Sequence, residues 1–264
     1  MINECAEKLK SAGVKNPFQE ALWITAHALG IGTTGVFAKD KYSPDEIQRI
    51  NALISRRADG EPLQYIIGEA DFYSRDFYVG RGVLIPRHDT ETLIEGVRMF
   101  FAPDKEFRFL DWGTGSGCIG ATILLEFPRS TGVMYDISDE ALKYARKNIE
   151  RYGLDDRAEI SSGKFTGDFD LVISNPPYIP SAEIQWLMRD VKDFEPITAL
   201  DGGDDGMKFY GEILSSNVKR GGYIILEIGN FFQIMEIETF KGFQMAGRVL
   251  DTGNFPRCII LRRL

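Results

Sequence analysis

The stretch "FRFLDWGTGSG", residues 107–117, decides the reading of this chain. An apolar run of strand length closes on an acid, Asp111, and then breaks into glycines at alternate positions, Gly113, Gly115 and Gly117. Glycine tolerates positive φ and lets a backbone approach a ligand closely, so a strand that ends this way ahead of a helix offers backbone N–H groups to a bound molecule. Gly115, Gly117 and Gly120 also spell G-x-G-x-x-G. A second acid, Asp136, stands about twenty residues beyond the loop at the end of the next apolar run, where a ribose carboxylate belongs. Both features call for an adenosine-like ligand.

Outward from the loop, short apolar runs alternate with helical patterns. "GVMYD" (132–136), "AEISS" (158–162), "FDLVIS" (169–174) and "GYIILEI" (222–228) join "FRFLDW" (107–112) as strands of a buried parallel sheet. The closing runs "FQMAGRVL" and "RCIILRRL" read as an antiparallel pair, which completes a doubly wound, mostly parallel seven-stranded α/β sheet. "HDTETLIEGVRMFF" predicts a helix capped by Asp89 or Thr90. Residues 1–60 read as a small helical domain: Pro17 opens a helix that Gly30 stops, and Ser43, Pro44 and Glu46 form a capping box that leads a helix to Gly60. Residues 61–85 form a linker with a β-hairpin, and 86–264 the sheet domain.

The bulk composition narrows the function classes. Three cysteines, Cys5, Cys118 and Cys258, are widely spaced, and with only two histidines they support neither a disulfide framework nor a metal site. A reducing cytoplasm fits, since the start "MINECAEKLK" is no export signal and no apolar run approaches the ~20 residues of a membrane span. The net charge of −8 disfavours a nucleic-acid partner, although "SRR" at 55–57 is a local basic patch.

"SNPPYIP", residues 174–180, follows directly on the apolar run "FDLVI". Asn175 offers a side-chain carbonyl and Pro176 a main-chain carbonyl, on a backbone stiffened by its own ring and by Pro177. Two acceptors at fixed separation grip an NH2 group, and Tyr178 can cover the flat group that bears it. Hydride transfer to or from a nicotinamide needs no such device. Methyl transfer from S-adenosylmethionine to a planar nitrogen does, because that lone pair is delocalised and must be aligned.

With these segments together the sequence resembles the peptide chain release factor N5-glutamine methyltransferases, the HemK/PrmC family. The resemblance runs through "PLQYIIGEADFYSRDFYV", "VLIPRHDTETLIE", "DWGTGSG", "YDISDEAL", "FDLVISNPPYIP", "EPITALDGGDDGMKFY" and "GGYIILEIG". It implies a Rossmann-like methyltransferase sheet that holds S-adenosylmethionine at Asp111, Gly113, Thr114, Gly115, Ser116, Gly117, Asp136, Lys164 and Asn175. It also implies that Asn175, Pro176, Pro177 and Tyr178 hold the glutamine of the Gly-Gly-Gln tip of a class I release factor, with Asn175, Pro176 and Tyr178 as the catalytic set. Arg87 and Glu91 match family positions, as an ion pair bracing the site or as ligand contacts. "SSGKFTGDFDLVI" departs from the family's pattern by lacking the usual acid beside the adenine, and Gly163 and Lys164 stand nearest that place. The alternative readings are a nucleic-acid amino-methyltransferase acting on adenine or guanine, and a non-catalytic relative that only binds a partner. "DGGDDG" (201–206) reads as a turn rather than a calcium loop, because the spaced oxygen ligands are missing.

Overall fold

The structure is a computed structural model that describes residues 1–163 and 165–264. The chain forms two compact units, Met1–Glu69 with Met188–Phe194, and Ala70–Leu187 with Glu195–Leu264.

The first unit is helical: α1 (Ile2–Ser11), α2 (Pro17–Leu29), α3 (Thr33–Phe37), α4 (Pro44–Ala58) and α5 (Leu63–Ile67). Its core is Leu9, Ile24, Ile50 and Ile54, all fully buried. The punctuation read from the sequence operates as expected. Pro17 sits in the first turn of α2, Gly30 closes that helix at φ +66°, and Ser43 and Glu46 complete a reciprocal capping box on α4. The basic patch is not free: Arg57 pairs with Glu20 at 2.5 Å and Arg56 with Glu61 at 2.7 Å.

The second unit opens with the hairpin of β1 (Glu69–Phe72) and β2 (Arg75–Tyr78). Its sheet is built from β3 (Arg108–Trp112), β4 (Thr131–Tyr135), β5 (Ala158–Ser161), β6 (Phe169–Ser174), β7 (Val218–Glu227), β8 (Phe243–Val249) and β9 (Cys258–Arg263), in the order β5-β4-β3-β6-β7-β9-β8. The first five of these pair in parallel, and β9 slots antiparallel between β7 and β8. Strand order reverses beside β3, so the carboxyl ends of β3 and β6 flank the crevice where open α/β sheets take ligands. Apolar cores cover both faces. Phe109, Leu171 and Ile173 point into one, and Leu110, Val172 and Ile224 into the other, which is why these runs read as continuous rather than alternating.

Flanking helices are α6 (Thr92–Phe100), α7 (Cys118–Glu126), α8 (Asp139–Arg151), α10 (Tyr210–Leu214) and α11 (Phe231–Glu238), while the short α9 (Arg189–Lys192) belongs to the first unit. Two details differ from expectation. β7 begins at Val218, four residues early, because Val218 pairs with Phe169 of β6 ahead of a register shift, with Gly221 at φ +78°. Neither Asp89 nor Thr90 caps α6: a 3-10 turn at His88–Glu91 precedes it, Asp89 accepts from the Thr92 hydroxyl on its carbonyl while its carboxylate faces Arg257, and Thr90 turns inward. Among the described residues no helix is long and apolar enough to cross a membrane.

Candidate functional site

A cleft with ≈ 1000 Å³ of open space lies in the second unit at the carboxyl ends of β3, β4 and β6. The glycine loop forms one wall. Gly113, Gly115 and Gly117 hold φ of +72°, +57° and +81°, a region that other residues enter at a cost of about 1–2 kcal/mol each. A Cβ on Gly113 would meet nothing within 4 Å, whereas one on Gly117 would lie 2.8 Å from Met134 Cε and 3.1 Å from Ala145 Cα. Gly113 is therefore required by its backbone conformation, and Gly117 by close packing against α8 as well.

Two acids secure the loop. Asp111 is fully buried; its Oδ2 accepts from the Thr114 hydroxyl at 2.5 Å and from Gly120 N–H at 3.0 Å, while Oδ1 has no hydrogen-bond partner among the described residues. Burial pushes its pKa up to about 7; the Thr114 and Gly120 hydrogen bonds pull the other way, and the Asp136 charge adds to the rise. Asp136, at the end of β4, accepts from Gly115 N–H and from Ser138 N–H, each at 2.9 Å. Burial raises its pKa too, against the pull of these N–H groups. On α8, the Asn148 carboxamide spans the loop and the hairpin: Oδ1 accepts from Tyr78 N–H at 2.7 Å, and Nδ2 donates to the carbonyls of Tyr78 and Ser116 at 3.0 and 2.8 Å.

The opposite wall is the segment after β6. Ser174 donates its hydroxyl to the Trp112 carbonyl at 2.7 Å and so ties the ends of β6 and β3 together. Asn175 and Pro177 then line the cleft. Asn175 Nδ2 donates to Thr90 Oγ1 at 3.1 Å, which leaves Oδ1 as the acceptor offered outward. Pro176 is buried, and Tyr178 is anchored at both ends: its hydroxyl donates to Glu227 Oε1 at 3.0 Å and its carbonyl accepts from Gln233 Nε2 at 2.9 Å. The "DGGDDG" segment is the expected turn, with Asp201 Oδ1 accepting from Ser181 Oγ at 2.6 Å and Gly203 N–H at 2.9 Å. It braces the motif from behind, since a Cβ on Gly202 would lie 2.8 Å from both Pro177 O and Tyr178 Cα.

Gly113, Thr114, Gly115, Ser116, Asp136 and Asn175 thus share one cleft, with Asp111 and Gly117 packed beneath the loop. Lys164 lies outside the described residues. Arg87 lines the cleft and forms a tight ion pair with Glu195, whose other oxygen accepts from Ile85 N–H at 3.1 Å. Glu91 instead accepts from Tyr73 N–H at 3.0 Å. Sequence reasoning missed the aromatic wall, in which Trp112 lies 5.7 Å from Phe209 and 5.9 Å from Tyr135 between ring centroids, because rings so far apart in the chain leave no local signature. It also passed over Glu227, although an acid inside the apolar run "GYIILEI" is itself a signal.

The observed sheet, with its glycine loop and following acid, is that of a methyltransferase built for a donor of the S-adenosylmethionine type. Residues 90–189 match the methyltransferase small domain family, and the fold resembles the crystal structure of a methyltransferase from Pyrococcus furiosus. That likeness has a TM-score of 0.54 at 17% identity, over 79% of this chain and 96% of that one. Residues 1–68 match the PrmC N-terminal domain. The release factor glutamine methyltransferase of Geobacter sulfurreducens is 39% identical over 89% of this chain and 83% of its own length, and that of Koribacter versatilis 36% identical over 99% and 97%. The chain belongs to the release factor glutamine methyltransferase family.

Proposed function

We propose that this protein uses S-adenosylmethionine to methylate the side-chain amide nitrogen (N5) of the glutamine in the Gly-Gly-Gln motif of a class I peptide chain release factor, in the cytoplasm. The observation that carries the reading is that Asn175, its Nδ2 already engaged by Thr90, lines the same cleft as Gly115 and Asp136. An outward carbonyl opposite a glycine loop suits a planar NH2 group brought to a bound donor. The names of the relatives support the choice of a protein glutamine over a nucleobase. So do the ion pairs of Arg56 and Arg57, which leave no open basic patch at 55–57.

The residues present fit the donor: the loop backbone is open to the cleft at Gly113, and Asp111 keeps beneath it a carboxylate oxygen that no described residue partners. In this reading Asp111, Gly113 to Gly117 and Asp136 hold the cofactor, whose chemistry is an electrophilic methyl group on a positively charged sulfur. The chain supplies position rather than a strong base, so the proton that the nitrogen must lose on gaining the methyl group would pass to solvent after the transfer. Asn175 Oδ1 and the Pro176 carbonyl accept the two N–H bonds of the glutamine amide, with Pro177 beside them and the Tyr178 ring held at the edge by Glu227. As the nitrogen gives up amide resonance its N–H groups gain positive charge, and those acceptors bind them more strongly than in the ground state. Trp112 and Phe209 keep water from the reacting atoms. Orientation of this kind is worth effective molarities up to ~10⁵–10⁸ M in favourable cases. The helical residues 1–60 are assigned to recognition of the release factor, joined through 61–85 to the catalytic domain at 86–264.

Mass spectrometry of the Gly-Gly-Gln peptide, after the protein is incubated with S-adenosylmethionine and a release factor from the same organism, tests the reading. One added methyl on that glutamine is the expected result. An unmodified glutamine, with cofactor binding intact by calorimetry, overturns the substrate assignment.

A further inference from the structure

Among the described residues Arg87 is the one basic side chain that lines the cleft, where it stands against two acids, Asp136 and Glu212. It ends the stretch 82–87, all of which except Ile85 edges the cleft. That stretch packs on the glycine loop, since a Cβ on Gly115 would lie 3.7 Å from Val83 Cγ2. At its other end the Arg87 carbonyl accepts at 3.1 Å from the N–H of Thr90, the residue that meets Asn175. Arg87 therefore sits between the wall assigned to the methyl donor and the motif assigned to the substrate. Its guanidinium is tethered on one edge: Nη2 donates to Glu195 Oε1, and the buried Glu195 is itself fixed by Ile85 N–H. The Arg87 side chain is still 39% exposed, and no other described residue takes its N–H groups. A guanidinium carries five N–H donors on two paired edges, so the single bond to Glu195 leaves a pair free.

We propose that Arg87 binds the carboxylate on the methionine tail of S-adenosylmethionine and so selects donors that carry one. The inference rests on the proposed function, which supplies that donor. The two ligands of the proposed reaction bring one negative charge to the cleft. The glutamine and its glycine neighbours are neutral, the sulfonium and the ammonium of the donor are cations, and the carboxylate alone is an anion. Facing Asp136 or Glu212 it is repelled. Facing a guanidinium it gains charge-assisted hydrogen bonds, two in parallel where a paired edge is open. With the ribose at Asp136 and the sulfur turned to Asn175, the tail is the part of the donor left to reach Arg87. Glu195 acts as the positioning residue, since it fixes the guanidinium and the stretch that carries it through Ile85.

Calorimetry on the full-length protein tests this, with S-adenosylhomocysteine and its decarboxylated analogue, which keeps the ammonium and lacks the carboxylate. Wild type should bind S-adenosylhomocysteine roughly 10- to 100-fold more tightly than the analogue, the size of a hydrogen bond to a charged group. Arg87→Met alone strands the buried Glu195 carboxylate, so it is combined with Glu195→Gln, whose amide carbonyl still serves Ile85 N–H. In that double variant the Kd for S-adenosylhomocysteine should rise to that of the analogue, while the Kd for the analogue stays within about threefold of wild type. Arg87→Lys, which retains the charge and the Glu195 pair without a second paired edge, should show a preference between the two. The proposal is overturned if wild type binds both ligands equally, or if the double variant keeps the full preference, which would seat the carboxylate on backbone N–H groups of the glycine loop. It is also overturned if the double variant raises KM for the release factor and leaves both values of Kd unchanged, since Arg87 would then serve the substrate. Failure of wild type to bind S-adenosylhomocysteine at all overturns the donor assignment together with this inference, whereas tight binding of both ligands without preference overturns the role of Arg87 alone.

Discussion

Asp136→Asn should weaken cofactor binding while leaving the transfer step nearly intact. The Asp136 carboxylate clasps two backbone N–H groups, Gly115 on the glycine loop and Ser138 at the start of α8, each at 2.9 Å. Asparagine keeps one carbonyl oxygen for one of them and turns an NH2 toward the other, so a donor faces a donor in a half-buried site. An unsatisfied donor of this kind costs about 1–3 kcal/mol. If the loop must be drawn back into place for S-adenosylmethionine to bind, that cost becomes a Kd roughly 5- to 150-fold higher. For a unit of this size the same energy lowers the melting temperature by about 2–4 °C per kcal/mol. Asp136→Ala removes both acceptors and should bind the cofactor more weakly still. The assay pairs calorimetric Kd with kcat at saturating cofactor, and kcat should hold within about threefold because Asn175 and its supports are untouched. A Kd within twofold of wild type in both variants, or an equal loss of kcat at saturation, would refute the assignment of Asp136 to the cofactor side.

Three further outcomes follow from the same geometry. Gly117→Ala forces a side chain into φ +81° and against Met134 and Ala145, so strain of about 1–2 kcal/mol and overpacking of about 1–3 kcal/mol should appear as a lower denaturation midpoint; an unchanged midpoint would contradict the packing described. Asn148→Ala leaves backbone groups of Tyr78 and Ser116 without partners and should cost about 2–4 kcal/mol, measurable by chemical denaturation, with faster amide exchange at Tyr78. Asp111 and Glu227 are both raised by burial, each to about 7, from ordinary carboxylate values. An acid that holds its proton more tightly when folded adds stability at low pH, and that contribution is lost as pH rises from its unfolded value through 7. Stability of the cofactor-free protein against urea should therefore decline across about pH 4.5–7 from these two groups, and Asp111→Asn with Glu227→Gln should flatten that part of the profile.

The parallel strands were legible because buried strands demand unbroken apolar runs, and the glycine loop because positive φ demands glycine; both rules act within a few residues. "FDLVIS" and β6 coincide residue for residue. The place of the terminal pair was not legible. "RCIILRRL" is apolar enough for an interior strand, yet nothing local says that β9 enters beside β7 and leaves β8 at the edge. Thr90 was misread for a related reason: before an apolar helix a threonine has the composition of a cap, and only the three-dimensional structure shows it turned inward to meet Asn175.

Asn175 shows where the division falls. Its position after a buried strand, and the stiff prolines behind it, follow from the motif itself. Its orientation does not. An asparagine side chain offers a donor and an acceptor of nearly equal size, and which one faces the cleft depends on the polarity of whatever lies behind it. Here what lies behind it is Thr90, on the turn before α6, whose oxygen accepts from Nδ2 at 3.1 Å. A chain with "NPPY" intact and valine at position 90 would read identically at its motif and differ in rate. The chemistry of this site is therefore written in two registers: a local one that names the acceptors, and a long-range one that aims them.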